Sequence, residues 1–315
     1  MGKDLRFINV LKANGFIRRV DFLLITSYFC LGSHLIYYTM QSLNFLFWNV
    51  NRKPIIKEIA NIAKHHNIDV LLLAECNFNL ASLLLELNSE TVEYELPNPI
   101  FQNDRIKVFT KFSSSFIIPL EDESENRYTC FKIKFPIAEE ILVFGVHLPD
   151  RRNNQPSSIS SHAGRIARRV KEIEKEQNLY NTVVLGDFNM NPSDVGMIDA
   201  ESFHAIMDSE IAKNKSRTIS KKEYDYFYNP MWSLHGDIGN NVAGSYYYKN
   251  AELVNYHWNV FDQVLIRPSL IDSFDKESLK ILDNDGSKSL LKKNIIPDSD
   301  NYSDHLPLMF TLNIQ

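Results

Sequence analysis

The sequence contains little cysteine, and its three cysteines lie far apart. Cys30, Cys76 and Cys130 are odd in number and show no close spacing, which excludes a disulfide framework and a cysteine zinc cluster. The sequence also lacks a histidine pair of the His-x-x-x-His kind, which argues against a zinc centre. A reducing compartment is the default interpretation, and we expect a cytoplasmic protein.

The chain has no excess of positive charge and no repeat. Its formal net charge is −5, so no overall positive field attracts nucleic acid, and such a partner requires a local basic patch or metal ions. The composition, with 44% hydrophobic and 23% charged residues, is typical of a globular protein. A chain of 315 residues is long enough to bury a sizeable core.

The one long uncharged run lies at residues 22–40, and it is only weakly apolar. Its length approaches the roughly 20 residues of a membrane span, but serine, threonine and histidine interrupt it. Three interpretations stay open: a membrane or signal anchor, a helix packed on the domain, and an extension outside the fold with Met40 as the natural start. No clean small-residue cleavage pattern follows the run, which argues against a secretory signal. We therefore divide the chain into an N-terminal extension, 1–42, and a domain, 43–315.

Apolar periodicity predicts alternating elements in the first part of the domain. Residues 43–50 have the length and composition of a strand. Pro54 can open a helix, in which residues 55–63 place isoleucines on one face. A buried strand ending at Glu75 and a short helix at 79–87 follow.

The remainder predicts serial strands and one long helix. Short strand-like segments between 92 and 146 favour antiparallel pairing. A basic helix at 158–177 precedes a buried strand, and residues 199–259 are irregular and aromatic-rich, as functional loops are. Two final strands enclose a polar insertion at 272–302. This pattern predicts an α/β (α+β) fold, a four-layer αββα sandwich of two mostly antiparallel sheets flanked by helices.

Polar side chains recur at the ends of the predicted strands. A single polar strand end is usually a cap or a surface residue, but repetition indicates a site, because clustered carboxylates that lose water usually share a cation. The residues concerned are Asn49, Glu75, His147, Asp187, Asn189, Asp262, Asp304 and His305.

Six segments that contain these residues resemble a known family. In order along the chain they are FWNVN, LLLAE, VHLPD, LGDFNMNPSD, FDQVLI and SDHLP. Together they resemble the endonuclease/exonuclease/phosphatase superfamily, the DNase I-like group, over residues 43–315. The resemblance implies a DNase I-like sandwich and metal-assisted hydrolysis of a phosphoester by in-line attack of water.

The resemblance implies a role for each metal-side residue. Asn49, Glu75 and Asp304 would hold Mg²⁺, a hard cation that prefers oxygen ligands, and Mn²⁺ could replace it. Asp187 would orient or deprotonate the attacking water, and Asn189 would bond to the phosphate or to that water.

The same resemblance implies roles for two histidines. His305 would be the catalytic imidazole, with Asp262 fixing its tautomer and supporting its charge. His147 would donate a hydrogen bond to a phosphate oxygen. Arg151 and Arg152 follow closely and could contact phosphate.

The sequence departs from the family pattern at several positions. Ala74 stands where most relatives have glutamine before the metal-binding glutamate. His147 stands where the exonuclease III branch has tyrosine, and it resembles the DNase and sphingomyelinase branches more. The family's partner residue on the middle strands is not evident, and Asp104 or Arg105 could occupy that place.

We expect a Mg²⁺-dependent nuclease that acts on DNA or RNA. The alternative is a phosphodiesterase or phosphatase on a lipid or small phosphoester, for which association of residues 22–40 with a membrane would be useful. A third interpretation is a non-catalytic nucleic-acid-binding module. The aromatic segment 244–258, just before Asp262, could stack on nucleobases or simply pack within a loop.

Overall fold

The computed structural model describes most of the domain. It covers residues 42–314, except 92, 98–104, 121–126, 137, 252 and 294. The run at 22–40, Cys30 and Asp104 therefore lie outside the described residues. Within the described ranges, no helix combines the length and the apolar character needed to cross a membrane.

The helices of the described residues are few. They are α1 (Ile56–His65), α2 (Leu80–Leu87), α3 (Pro156–Gln177), α4 (Val195–Ile198) and α5 (Ser209–Ala212). Helix α3 begins with a proline at its first position, where the missing N–H costs nothing. It ends at Asn178, a left-handed residue whose N–H bonds back to the last turn.

Short strands make up the rest of the regular structure. In chain order they are β1 (Ser42–Asn49), β2 (Val70–Ala74), β3 (Ile106–Thr110), β4 (Ile117–Pro119), β5 (Tyr128–Ile133), β6 (Ile141–His147), β7 (Thr182–Asp187), β8 (Ala205–Ile206), β9 (Ser216–Ile219), β10 (Lys222–Asp225), β11 (Phe227–Tyr228), β12 (Tyr246–Tyr247), β13 (Trp258–Asn259), β14 (Asp262–Ile266), β15 (Phe274–Ile281), β16 (Leu291–Lys292), β17 (Ile296–Pro297) and β18 (Leu308–Asn313).

Two large sheets hold most of the strands. Sheet I has the order β15-β18-β1-β2-β3, and sheet II has the order β4-β5-β6-β7-β14-β11-β8. Most neighbours are antiparallel, and the short β8 and β11 at the edge of sheet II run parallel. In the centre of the sheets, β1 runs parallel to β2 and β6 runs parallel to β7. The carboxyl ends of these two parallel pairs carry four of the predicted site residues.

The two sheets pack face to face with helices outside. Strands β2, β7 and β14 are buried along their whole length, which requires cover on both faces. Buried side chains of α3, including Ile166 and Val170, pack with the outer face of sheet II. Between the sheets, a Cβ on Gly145 would come within 2.7 Å of Leu72, so the glycine permits the close approach. The predicted four-layer sandwich is confirmed.

Two segments contain more structure than the sequence predicts. The polar insertion at 272–302 includes β15, an eight-residue edge strand of sheet I. Strand β15 has one sheet neighbour and is partly exposed, so it can be polar. The sequence therefore does not indicate a strand there. The segment expected to be irregular, 199–259, contains the short strands β8 to β13, and the exposed hairpin of β9 and β10 is the longest of these pairs.

Candidate active site

The site forms where the carboxyl ends of β1, β2, β6 and β7 meet the start of β14. Within sheet II, Asp187 pairs with His147 on one side and with Asp262 on the other. In sheet I, Asn49 ends β1 beside Ala74, the residue before Glu75. The stacking of the two sheets brings both groups to one edge of the sandwich.

Asn49 joins the two sheets. Its side-chain Nδ2 donates to the Asp187 carboxylate at 3.0 Å and lies 3.4 Å from Glu75 Oε1. Its Oδ1 accepts the main-chain N–H of Asn51 at 3.0 Å. Asn49 is 2% exposed, so these bonds satisfy a carboxamide that would otherwise be costly to bury.

Glu75 occupies a constrained turn at the end of β2. Its φ of 54° lies in the left-handed region, which few residues other than glycine adopt. Main-chain bonds hold it there, from Glu75 N to Arg105 O at 3.2 Å and from Arg52 N to Glu75 O at 3.0 Å. The carboxylate contacts Asn49, His147 and Arg52 at 3.4, 3.5 and 3.5 Å. These distances exceed those of ordinary charge-assisted hydrogen bonds, so the oxygens are available to a cation.

Asp187 lies at the centre of the site and is 1% exposed. Burial raises the pKa of its carboxyl to about 7, against the opposing charge of His305. One carboxylate oxygen accepts the main-chain N–H of Asn189 at 2.9 Å, and the other accepts from Asn49.

Asn189 departs from the extended geometry of β7. Its φ is 51°, and its Nδ2 donates to the carbonyl of Leu148 at 3.1 Å. Phe188, between Asp187 and Asn189, is fully buried and packs edge-on against Phe203 at 5.4 Å. The LGDFN segment therefore anchors an aromatic side chain in the core while it presents polar groups at the sheet edge.

His305 and Asp262 form a buried pair. His305 Nδ1 lies 2.8 and 3.1 Å from the two Asp262 oxygens, and its Nε2 lies 3.9 Å from Asp187. Burial alone would lower the pKa of His305, but the carboxylates of Asp262 and Asp187 outweigh it and raise the pKa to about 10. His305 is thus an imidazolium at neutral pH.

The main chain around His305 is also fixed. Trp48 Nε1 donates to the His305 carbonyl at 2.8 Å, and His305 N donates to Ser303 Oγ at 3.1 Å. Ser303 Oγ in turn donates to the carbonyl of Asn49 at 2.6 Å. These bonds tie the segment before β18 to the end of β1.

His147 is the neutral histidine of the site. Its Nε2 lies 3.5 Å from Glu75 and 3.8 Å from Asp187. Burial, helped by the charges of Arg105 and His305, lowers the pKa of His147 to about 3. Its Nδ1 is buried without a hydrogen-bond partner, an arrangement that is costly and rare away from functional sites.

The remaining predicted residues surround this centre. Among the described residues, Asp304 forms an ion pair with Arg152, and the distance from Asp304 Oδ2 to Arg152 Nη2 is 3.7 Å. Arg152 also donates to the hydroxyl of Tyr246 at 3.2 Å. Arg151 instead donates to the carbonyl of Asn189 at 2.7 Å and pairs with Asp194. Arg105, one of the two residues considered for the middle strands, bonds to Glu75 through its carbonyl.

Three contributors to the site were not assigned from the sequence. Tyr246 covers the His305 ring with a centroid distance of 4.6 Å and pairs with it as an isolated β-bridge, while Trp48 and Ser303 hold main-chain atoms. The run of three tyrosines at 246–248 is the sequence feature that could have indicated Tyr246. The Trp48 and Ser303 bonds join distant segments, and no local pattern encodes them.

Asp187, Asp262 and His305 offer ligand atoms within 4.8 Å of one another, a spacing that could hold a metal ion. However, His305 Nδ1 already bonds to Asp262. The oxygen donors around Glu75 are the better match to a hard divalent cation, and the looser contacts there support that location.

Comparisons with known proteins identify the fold. No family model matches the chain, and no curated protein matches it in sequence. The structure is similar to truncated Caenorhabditis elegans TDP2, with a TM-score of 0.51 and 15% identity over 86% of this chain and 97% of that one. It is similar to a humanized D. rerio TDP2 with a TM-score of 0.50 and 14% identity, over 87% and 99% of the two chains.

A further solved structure carries a family description. An endonuclease/exonuclease/phosphatase family protein from Bacteroides thetaiotaomicron matches with a TM-score of 0.49 and 14% identity, over 86% of this chain and 97% of that one. The two-sheet topology and the TDP2 matches agree with the resemblance carried by the six sequence segments. The chain therefore has a DNase I-like fold.

Proposed function

We propose that the chain is a Mg²⁺-dependent phosphodiesterase that cleaves DNA or RNA, with Mn²⁺ as a substitute cation. The observation that carries this proposal is the bridge between the two sheets. Asn49 links the open Glu75 carboxylate to Asp187, which lies against the His305–Asp262 pair. A cation position, a base and an acid thus adjoin one another.

Glu75 would hold the cation, assisted by Asn49 and Asp304. The donor set is made of carboxylate and carboxamide groups, as Mg²⁺ prefers. When bound, the ion would stabilise negative charge that develops on the phosphate. Asp304 is 21% exposed at its side chain and pairs with Arg152 at a distance of 3.7 Å, a loose pairing that leaves its carboxylate available.

Asp187 would take the proton from the attacking water. A pKa of about 7 matches a base that works near neutral pH. Its Oδ1 is fixed by the Asn189 N–H and its Oδ2 by Asn49, so the carboxylate is held in one orientation. Asn189, next to it, would bond to the phosphate or to the water.

The two histidines would serve the phosphate. The imidazolium of His305 can stabilise the charge of the transition state through its Nε2, while Asp262 fixes the ring through Nδ1. The neutral His147 would donate a hydrogen bond to a non-bridging oxygen. Arg152, whose side chain is 64% exposed, would contact the phosphate backbone at the rim.

A lipid or small phosphoester is the second candidate substrate. One observation favours it: the loop that joins β12 to β13 exposes Leu253, Val254 and Tyr256, and β12 contributes Tyr246 to the site. Exposed apolar residues beside a cleft can contact a lipid surface. The alternative of a binding module without activity is tested by the same experiment.

The test is hydrolysis by the purified chain of plasmid DNA, single-stranded DNA, RNA, sphingomyelin and a phosphoinositide, each with Mg²⁺ or EDTA. We expect cleavage of a nucleic acid that requires Mg²⁺. Turnover of lipid alone would replace the nuclease by the second candidate, and no turnover of any substrate would contradict both.

Matched variants test the residue roles. Asp187→Asn and His305→Gln should each lower turnover by about 10² to 10⁴-fold, the range of a lost acid or base. Asp187→Asn should not lower the melting temperature by much, because it removes a charge that burial disfavours. His305→Gln leaves the buried Asp262 carboxylate without its cationic partner and should lower the melting temperature, so its turnover is measured well below its own unfolding transition. Full activity in either variant would show that the assignment is wrong.

A further inference from the structure

The two neighbouring arginines after β6 have different surroundings. The side chain of Arg151 is 34% exposed and turns inward, whereas that of Arg152 is 64% exposed at the rim. Arg152 lies near an aromatic ring, with its guanidinium carbon 5.9 Å from the ring centre of Tyr248. Two residues that look alike in the sequence are therefore placed for different tasks.

Arg151 joins three segments that build the site. Its Nε donates to the carbonyl of Asn189 at 2.7 Å, and its terminal nitrogen pairs with the Asp194 carboxylate. Its guanidinium lies over the ring of Phe261, 4.9 Å from the centroid. The loop after β6, the loop after β7 and the start of β14 are thus held by one side chain.

The contact with Asn189 leads directly to the centre of the site. Asn189 has a left-handed φ of 51°, a conformation that residues other than glycine keep where the surrounding structure supports it. The N–H of this same residue donates to Asp187 Oδ1 at 2.9 Å. Support of Asn189 by Arg151 therefore fixes the orientation of the Asp187 carboxylate.

Asp194 completes the arrangement from the other side. Its carboxylate accepts the main-chain N–H of Asn191 at 2.7 Å while it pairs with Arg151. Asn191 in turn accepts the N–H of Val260, just before Phe261, at 2.9 Å. The loop 188–194 is consequently closed on itself by the Arg151–Asp194 pair.

We propose that Arg151 is a positioning residue that sets Asn189 and Asp187, whereas Arg152 is the arginine that meets the substrate. The second half rests on the proposed function, because it requires an anionic substrate at the rim. The first half is a property of the fold and can be measured without turnover.

The kinetic test compares Arg151→Met with Arg152→Met in the full chain. The substrate is bis-p-nitrophenyl phosphate with Mg²⁺. Arg151→Met should lower kcat by about 10- to 100-fold, the scale of a misplaced catalytic group, and leave KM within about twofold. Arg152→Met should mainly raise KM.

Two further variants and a chemical rescue sharpen the comparison. Asp194→Asn should lower kcat in the same direction as Arg151→Met but less, because the bond to Asn189 persists. Added methylguanidinium should restore part of the kcat of Arg151→Ala, whose truncated side chain leaves space for it, and general destabilisation would not allow such a rescue. Arg168→Met, an exposed change on α3, should alter neither constant.

Hydrogen exchange separates this proposal from the proposed function. Peptides covering 187–194 should exchange about tenfold faster in Arg151→Met than in the wild-type chain, and they should be unchanged in Arg152→Met. Unchanged exchange in Arg151→Met, or a raised KM with normal kcat, would overturn the positioning role. If the wild type hydrolyses no phosphodiester, the exchange experiment still decides the role of Arg151.

Discussion

Asp69 is a buried carboxyl outside the active site, directly before β2. It is 1% exposed, and one oxygen accepts the N–H of Asn44 at 2.8 Å. Burial raises its pKa from the ordinary 3.8 to about 7. The folded state therefore holds a proton that the unfolded chain loses at lower pH.

The direction in which stability changes with pH follows from the difference in proton binding between the folded and the unfolded chain. A raised folded-state pKa contributes stability that is complete below pH 3.8 and is lost as the pH rises through 7. Relative to Asp69→Asn, the wild type should lose up to about 1.4 kcal/mol per pH unit between pH 4 and 7. Urea unfolding across this range measures the difference, and exposed Asp237→Asn is the control. A constant difference would contradict the prediction.

Gly186 has no room for a side chain. Its φ is 150°, and an added Cβ would lie 2.0 Å from the carbonyl oxygen of Val146 on the neighbouring strand. Gly186→Ala should therefore destabilise the fold by about 3 kcal/mol or more. Gly164→Ala on α3 is the matched control, because its nearest atom is 3.8 Å away, and we expect a gain of about 0.5 to 1 kcal/mol. Equal melting temperatures would contradict this account.

The sequence indicates which polar residues lie together at the strand ends better than it indicates their contacts. Asn49, Glu75, His147, Asp187 and Asp262 are visible because a carboxylate, amide or imidazole at the end of an apolar strand is unusual. Their hydrogen bonds are not visible, because each joins segments that only the docking of the sheets brings together. The different tasks that we propose for Arg151 and Arg152 escape the sequence for the same reason.

Helix α3 is connected to β14 by a buried ion pair. Glu174 and Arg267 are 2% and 4% exposed, and both guanidinium bonds measure 2.8 Å. Arg267 also donates to the carbonyl of Tyr226 and stacks on Phe227 at 3.8 Å. The pair joins the outer helical layer to the strand that carries Asp262.

Breaking this pair from one side should be costly. Arg267→Met leaves an unpaired buried carboxylate and should lower the free energy of unfolding by about 3 to 5 kcal/mol. The double change Glu174→Leu with Arg267→Met removes both charges and should recover most of that loss. Chemical denaturation of the three variants forms a double-mutant cycle. Additive losses would show that the two residues act independently.

At the scale of elements, the predictability of a segment depends on its environment. Helix α3 is evident from the sequence because one of its faces is apolar. Strand β7 is evident because most of its length is apolar. Strand β15 is missed because an exposed edge strand can be polar, as FDKESLKI is. The short strands from β8 to β13 are defined by their pairing with other segments. They are too short to show an alternating apolar pattern in the sequence.

The proposed cation binding would be a property of the whole molecule, because the proposed ligands come from both ends of the domain. A ligand that binds only the folded state raises its stability by mass action. Mg²⁺ at 100 times its dissociation constant should add about 2.7 kcal/mol, measured as a rise in melting temperature that EDTA reverses. Glu75→Gln should abolish most of this rise. Lys57→Gln, on α1, should keep it, and an equal response in both variants would refute the location.

The bonds that cross the site span nearly the whole domain. Asn49 reaches Asp187 over 138 residues, and Trp48 reaches the carbonyl of His305 over 257 residues. Contacts so distant in sequence slow the folding of a chain, because the entropy of closing the intervening loop is lost before they form. A chain still emerging from the ribosome therefore has neither the imidazole nor its carboxylate partner in place. If the proposed function holds, a chain that ends before His305 would lack the catalytic imidazole and would not turn over substrate.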